Sequence, residues 1–312
     1  MFHSRSLIFL RCLPGICCLQ LLGLLMLPLT AAADVRVLTS IKPLALIARE
    51  VVGDKASVET LLPVKASPHD YPLRVSDIRR LQQADLVLWV GPNLEAFLQR
   101  PLNNIASEKR VAVYDIPGMY WPEEEPHSSP GEASHQHHGH DPHVWLDPRN
   151  AIVIAQALAK KLSEIDPASS AFYTNNARNF SVAAMELDRQ LMTALAPARD
   201  KGFAVYHEGY LHFVKRYELQ QLAYVTFTPE RRPGAKHLYE LRNKLNGRAA
   251  CLFTEPYYDV SIAMDLAQEL NLKVAILDPI GEEQVTSYKE LLEKMAQTFL
   301  ACLTNRSVTG EV

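Results

Sequence analysis

The 312-residue chain is poor in several features that mark common protein classes. It has no block of basic residues and only 21% charged side chains, so nucleic-acid binding has little support. It contains no G-x-x-x-x-G-K-[ST] sequence, so it is not a P-loop nucleotide hydrolase. It also has no compact C-x-x-C or H-x-x-x-H unit, so the spacing of its cysteines and histidines alone is not diagnostic of a metal site.

The first 33 residues have the features of a secretory signal. Arg5 and Arg11 precede a mostly apolar run over residues 13–29, and small residues follow directly before Asp34. A membrane anchor is the alternative, but the apolar run is short for a membrane span. We therefore expect residues 1–33 to be removed on export.

Cysteine is scarce, and removal of the signal would leave Cys251 and Cys302 alone. Two cysteines in an exported protein suggest one disulfide. It would close a loop of about 50 residues and stabilise the fold by roughly 4 kcal/mol in the chain-entropy model. Two buried free thiols are the alternative.

After the signal, short β-rich runs alternate with helical segments, a pattern typical of parallel sheets with helices on both faces. The eight strand candidates are residues 35–40, 57–63, 85–91, 111–115, 203–208, 221–227, 250–255 and 273–278. Between the two sets of four, an uninterrupted helical pattern would span roughly 43 Å at 1.5 Å per residue.

These patterns predict an α/β protein of two lobes, each with a four-stranded, mainly parallel sheet flanked by helices, joined by one long helix. The predicted divisions are an N-terminal lobe over residues 34–165, a linking helix over 166–196 and a C-terminal lobe over 197–312. Residues 117–142 interrupt the first lobe with a stretch rich in Pro, Glu, Ser, Gly and His, and we expect a mobile surface loop there.

Four polar residues follow the ends of predicted strands. His69 comes after the second strand and His143 after the fourth, while His207 and Asp278 end the fifth and the last. Ligands of parallel sheets bind beyond the carboxyl ends of the strands, and three imidazoles with one carboxylate suit tetrahedral Zn²⁺. Each residue taken alone is as compatible with a structural role in a turn or cap.

Several segments together resemble the metal-binding receptors of bacterial ABC importers, which carry zinc or manganese. The segments are SPHDYPLRVSDIRRLQQADLVLWVGPNLEAFL, DPHVWLDPRNA, FAVYHEGYLHFVKRYEL and ILDPIG. PGAKHLYELR, CLFTEP and the two cysteines are most similar to the zinc branch, in which a disulfide matches Cys251 and Cys302. The resemblance covers essentially the whole chain after the signal.

The resemblance implies two lobes joined by one long rigid helix, with the metal held between the lobes. It also implies a periplasmic, monomeric receptor without enzymatic activity. Such a receptor captures Zn²⁺ and delivers it to a membrane permease that is driven by a separate ATPase subunit.

The resemblance also assigns ligands. His69, His143 and His207 match the three metal-binding histidines of the family. Manganese receptors usually carry Glu where this chain has His207, and imidazole suits zinc better than manganese. Asp278 matches the fourth ligand of the manganese branch, with water as its rival, because Pro68 stands where some zinc receptors carry Glu.

The histidine-rich loop matches an insertion found in zinc receptors. It could be a weak secondary zinc-binding loop, or a solvated linker with no metal role. A mobile loop loses entropy when it closes on an ion, so its affinity should be the lower one. Its histidines are His127, His135, His137, His138 and His140.

Two other functions remain open at this stage. One is a manganese or iron receptor of the same family. The other is a zinc hydrolase with Glu208 or Glu255 as general base, which would need a zinc-bound water within reach of that base. His212 and His237 fall at helical positions and are interpreted as structural or surface residues, while Tyr71, Trp89 and Trp145 are expected to line the cleft.

Overall fold

The computed structural model describes residues 35–123 and 140–304, which form two four-stranded sheets. The first sheet has the strand order β2-β1-β3-β4 and the second β6-β5-β7-β8, and all neighbouring strands are parallel. The strands are β1 (Val35–Thr39), β2 (Ala56–Thr60), β3 (Leu86–Trp89), β4 (Arg110–Ala112), β5 (Gly202–His207), β6 (Gln220–Thr226), β7 (Ala249–Thr254) and β8 (Lys273–Ile276). The predicted fold class is confirmed.

Helices connect the strands and cover the sheets. They are α1 (Lys42–Val52), α2 (Val75–Gln83), α3 (Gln99–Leu102), α4 (Pro148–Ile165), α5 (Ser170–Ala194), α6 (Leu211–Arg216), α7 (Ala235–Leu245), α8 (Ser261–Glu269) and α9 (Tyr288–Thr304). Within the described ranges, no helix is both long and apolar enough to cross a membrane.

The long helix between the lobes is α5, with 25 residues and a length of about 37 Å at 1.5 Å per residue. A 3-10 turn over Pro167–Ser169 precedes it and another over Ala196–Ala198 follows it. α5 packs along α4 and also contacts α1 and α9, so helices from both lobes support it. The exact lobe boundaries stay a prediction.

The two faces of the second sheet pack into different clusters of buried side chains. Phe203 and Val205 of β5 point into the larger cluster, which also contains residues of the first sheet, α1, α4, α5 and α9. Ala204 and Tyr206 point into a smaller cluster with α7 and α8. The alternation follows the two-residue period of a strand, and β5 is buried on both faces as a central parallel strand should be.

A disulfide joins Cys251 on β7 to Cys302 on α9, as predicted. It ties the last helix to the second sheet, and both cysteines are buried. The alternative of two free thiols is wrong.

The fourth strand is shorter than predicted. It ends at Ala112, and Val113–Asp115 form a 3-10 turn instead of continuing the strand. β4 lies at the edge of the sheet and pairs on one side only, so fewer hydrogen bonds hold it extended. The turn buries Val113 completely, which offsets the lost pairing.

Candidate metal centre

Three histidines from distant parts of the sequence meet between the two sheets. His69, His143 and His207 each offer one ring nitrogen, and these nitrogens lie within 4.8 Å of one another. The Nε2 atoms of His143 and His207 are 3.3 Å apart. Within residues 35–123 and 140–304, no other group of three or more His, Cys, Asp or Glu side chains lies close enough to share an ion.

Each histidine reaches the centre from a different kind of element. His207 is the last residue of β5, a central strand of the second sheet. His143 directly precedes the 3-10 turn Val144–Leu146 that leads into α4, and His69 lies in the coil between β2 and α2. Only His207 therefore sits at a strand end in the strict sense.

Buried carboxylates hold two of the imidazoles from behind. Nδ1 of His143 donates to Oδ1 of Asp141 at 2.7 Å, and Nδ1 of His207 makes a short hydrogen bond to Glu255. Both carboxylates are buried, at 9% and 5% exposure. A carboxylate that accepts from Nδ1 fixes the tautomer and turns the Nε2 lone pair toward the centre, as carboxylate–histidine pairs do in zinc sites.

The three Nε2 atoms form a set that calls for a cation. Two imidazole lone pairs 3.3 Å apart repel each other unless a proton or a metal ion lies between them. Nε2 of His69 is buried and has no hydrogen-bond partner in the described part of the chain. Two nitrogens bound to one tetrahedral zinc at about 2.0–2.1 Å would be about 3.3 Å apart, so the pair already has zinc spacing.

The protonation of the three rings differs. Burial, and then the neighbouring imidazoles, hold the pKa of His69 well below its usual value. Burial also lowers the pKa of His143, although Asp141 opposes the shift. Burial works in the same direction on His207, but the Glu255 carboxylate outweighs it and raises the pKa of that ring. Of the three rings, that of His207 therefore retains a proton to the highest pH.

Gly209 has no side chain, and its absence leaves room for the imidazole rings of His143 and His207. A Cβ at this position would lie 2.2 Å from Nε2 of His207 and 3.0 Å from Cε1 of His143. Any side chain here would collide with the ring nitrogens that face the centre. The backbone of Gly209 therefore closes one side of the site without filling it.

Trp145 forms a wall of the site and links the lobes. Its ring is fully buried with its centroid 5.2 Å from that of His143, and its Nε1 donates to the Pro279 carbonyl at 2.8 Å. The Tyr288 hydroxyl donates to the Trp145 carbonyl at 2.7 Å. Tyr71 instead donates to Asp77, so Trp145 fulfils the expected wall role most directly.

Asp278 lies just after β8 but outside the group of three histidines. Its Oδ1 accepts hydrogen bonds from the N–H groups of Ile280 and Gly281, both at 2.9 Å. Its Oδ2 is buried without a hydrogen-bond partner among the described residues, and burial raises the pKa of the carboxyl. One oxygen therefore remains available, and its role as a fourth ligand stays a prediction.

The structure describes both ends of the predicted loop, residues 117–123 and 140–142, and not the residues between them. His127, His135, His137 and His138 lie outside the described residues. His140 is exposed and stacks on Trp121 with ring centroids 4.8 Å apart, so it is not one of the three central imidazoles. Nε2 of His237 donates to the Tyr224 carbonyl, 3.1 Å away.

His212 is fully buried and is not a surface residue. Its ring bonds the Asp141 carbonyl at 3.0 Å, which places it directly behind the pair of Asp141 and His143. The sequence pattern put it on a helix correctly, at α6, but gave no sign that this short helix packs against the segment carrying His143.

Sequence reasoning missed Gly209 and the supporting roles of Asp141 and Glu255, since it considered Glu255 only as the general base of a hydrolase. Two signals were present. Glu255 follows β7, the neighbour of β5, so its side chain had to emerge beside His207 at the same sheet edge. Asp141 stands two residues before His143, within reach of its ring, in the motif DPH. Only the three-dimensional packing reveals the need for glycine at 209.

Comparison with known proteins places this centre in a family. The family model described as "ZnuA: Zinc-uptake complex component A periplasmic" matches residues 37–302. The chain belongs to the ZnuA family.

Relatives match the ZnuA assignment over nearly their whole length. The "High-affinity zinc uptake system protein ZnuA" of Yersinia pestis is 34% identical over 292 residues, which is 87% of this chain and 92% of that protein. The protein of the same name from Haemophilus ducreyi is 34% identical over 303 residues, or 91% and 98% of the two chains. A crystal structure of ZnuA superposes with a TM-score of 0.75 at 23% identity, covers 87% of this chain and all of that one, and shows the shared fold.

Proposed function

We propose that this chain is the zinc receptor of an ABC uptake system, which captures Zn²⁺ in the periplasm and delivers it to a membrane permease with a separate ATPase subunit. The observation that carries the proposal is the convergence of one ring nitrogen from each of His69, His143 and His207 within 4.8 Å of one another. Membership of a family of periplasmic zinc-uptake components supports the compartment and the cargo.

Glu255 raises the pKa of His207 and burial lowers that of His143, so a proton competes with Zn²⁺ more strongly at His207 than at His143. His69 then completes the three-histidine set. The fourth position is taken by Oδ2 of Asp278 or by water, since Oδ1 is occupied by backbone donors.

The ligands tie the two lobes together. His69 and His143 come from the N-terminal side of α5, and His207 comes from the C-terminal side. A bound ion therefore favours the closed arrangement of the lobes, and release requires His207 to part from the other two. Delivery to a permease is the step that would separate them.

The donor set favours zinc over manganese. Imidazole nitrogens are softer ligands than the oxygen atoms that Mn²⁺ prefers. Three imidazoles also supply fewer ligands than the oxygen-rich coordination of Mn²⁺ requires. His207 is the deciding residue, because Glu255 holds its ring in place as a ligand.

A hydrolase is disfavoured by how the candidate bases are used. Glu255 is engaged with Nδ1 of His207, where it orients a ligand and has no free path to a zinc-bound water. Both oxygens of Glu208 accept from the amide of Gln221, away from the ring nitrogens. We propose that the protein has no chemistry of its own.

Competition titration of the metal-free protein tests the function. We expect one tight Zn²⁺ site, with Mn²⁺ bound much more weakly in the same buffer. Hydrolysis of ester and peptide substrates by the zinc-loaded protein should be undetectable. Tighter binding of Mn²⁺ than of Zn²⁺ would contradict the proposal.

We further propose that the loop histidines His127, His135, His137, His138 and His140 bind zinc weakly. Deletion of residues 124–139 tests this, because it removes four of the five and leaves His140 in its stack on Trp121. Extra weak zinc equivalents should disappear while one tight site remains. Loss of the tight site as well would contradict the division of the histidines into two groups.

A further inference from the structure

We propose that His212 is a positioning residue for the zinc site: it anchors Asp141, and through Asp141 the ligand His143, from the opposite lobe. The inference rests on the proposed function of His143 as a zinc ligand. His212 lies on α6, is fully buried, and its Nε2 is 3.0 Å from the Asp141 carbonyl oxygen. A carbonyl only accepts, so Nε2 carries the hydrogen.

Asp141 is held on two sides. Its Oδ1 accepts from the backbone N–H of His143 at 2.9 Å and from Nδ1 of the same residue at 2.7 Å. Its Oδ2 accepts from the backbone N–H of Leu211 at 3.1 Å, and its carbonyl accepts from His212. Because α6 donates to both the carboxylate and the peptide group, Asp141 cannot rotate away from His143 without breaking a bond to the other lobe.

A second contact fixes the His212 ring itself. Its Nδ1 is 3.3 Å from Nδ2 of Asn150, and since Nε2 carries the hydrogen, Nδ1 accepts from that amide. Asn150 is buried at the start of α4 and also bonds both backbone groups of Tyr120, at 2.7 and 3.0 Å. The ring of His212 is thus fixed by two hydrogen bonds to the other lobe, one donated to Asp141 and one accepted from Asn150.

The same ring contacts Trp121, which lies on one side of residues 124–139, here called the histidine-rich segment. Trp121, on the side before the segment, lies edge-on to His212 with centroids 5.9 Å apart. Trp121 also stacks on His140, which follows the segment, and the N–H of His140 donates to the Tyr114 hydroxyl at 3.3 Å. His212 is therefore linked to His140 through Trp121 and to His143 through Asp141.

Two substitutions separate positioning from simple core packing. In His212→Gln the longer amide can place its N–H near the position of Nε2 and keep the bond to the Asp141 carbonyl. In His212→Asn the shorter amide reaches only the Nδ1 side and loses that bond. Both remove the ring and leave a polar amide in the same buried place, so they are matched for packing.

Zinc and cobalt binding to the full protein provide the readouts. We expect H212Q to bind Zn²⁺ within about twofold of the parent, and H212N to bind about tenfold more weakly, the range of lost outer hydrogen bonds at metal sites. The visible spectrum of the Co²⁺-loaded protein should change in H212N and be restored in H212Q. The unfolding temperature of the metal-free protein should fall in both, and further in H212N, which also loses the bond to the Asp141 carbonyl.

Equal zinc affinities and equal Co²⁺ spectra in the two folded variants would overturn the inference. Should H212N not fold, Asn150→Ala is the second variant, because it frees the ring of His212 and leaves Asp141 unchanged; an unchanged Co²⁺ spectrum there would also overturn it. If the parent protein binds neither ion tightly, the proposed function itself has failed, which is a different result.

Discussion

The coil that carries His69 differs in construction from the place where His143 and His207 meet. We call the rings of His143 and His207, with Asp141, Glu255 and Gly209 around them, the junction. At the junction, each ring is buried and backed by a carboxylate, and Gly209 keeps the space in front of the rings open. His69 is half-buried in a coil, where its backbone N–H donates to Ser67 at 3.1 Å, and its Nε2 has no partner in the described part of the chain. The two rings of the junction are therefore held in place before any ion binds, and under the proposed function His69 would be the adaptable ligand that completes the site.

Removal of a junction ligand should have the largest effect. Zinc binding at protein sites is worth about 10–16 kcal/mol, so loss of one ligand among four costs about 3 kcal/mol, at least about a hundredfold in affinity. We expect this for His143→Ala and His207→Ala, and a smaller loss for His69→Ala. Competition titration measures it, with His237→Ala as the control that should bind normally. A loss in H69A as large as in the other two would break the comparison.

The supporting carboxylates should matter next. Asp141→Asn and Glu255→Gln keep the shape but weaken the hydrogen bond that orients each ring, so we expect losses of about 10–100-fold in zinc affinity. Ser67→Ala, the corresponding change behind His69, should cost less than about threefold. Glu208→Gln is the matched control. Equal effects of S67A and D141N would show that His69 is as preorganised as the junction.

A methyl group at Gly209 should displace the rings of His143 and His207 and leave the ring of His69 unaffected. The Cβ of Gly209→Ala would overlap Nε2 of His207, and relief of such overpacking costs about 1–3 kcal/mol, or about tenfold in zinc affinity. Gly234→Ala, where an added Cβ meets nothing within 4 Å, is the control. Undiminished zinc binding in G209A would mean that the rings sit elsewhere when zinc is bound.

As the pH falls, zinc binding should weaken first through protonation of His207. The pKa of His207 is raised and those of His69 and His143 are lowered, so as pH falls the first proton to compete with zinc goes to His207. Below the raised pKa of His207, affinity should fall about tenfold per pH unit, with one proton released per zinc. Titration across the region around pH 6.5, the ordinary value for histidine, measures the slope. A flat affinity between about pH 7.5 and about 5.5 would contradict a three-histidine site.

The architecture could be predicted from the sequence because each strand and each helix shows its own local pattern of apolar residues. β5 and β7 read as buried strands, and α5 as an unbroken helix, because each satisfies its own local period. The edge strand β4 was predicted too long because its end is decided by packing of Val113 and not by local pattern.

The candidate site was predictable to the extent that it lies at sheet edges. His207 follows directly from the end of β5. His69 and His143 were proposed because they follow predicted strands and match the family, but they sit in coil, and their convergence depends on how the lobes pack. The support from Asp141 and the burial of His212 arise from contacts across lobes, which no local pattern encodes.

A crystal structure of the zinc-loaded protein with anomalous data at the zinc edge tests the central claim most directly. We predict one strong anomalous peak between the lobes, about 2.0–2.1 Å from the Nε2 atoms of His69, His143 and His207. The fourth contact, to Asp278 or to water, would be visible in the same map. A strong peak held by other residues, with the three rings unliganded, would contradict the account.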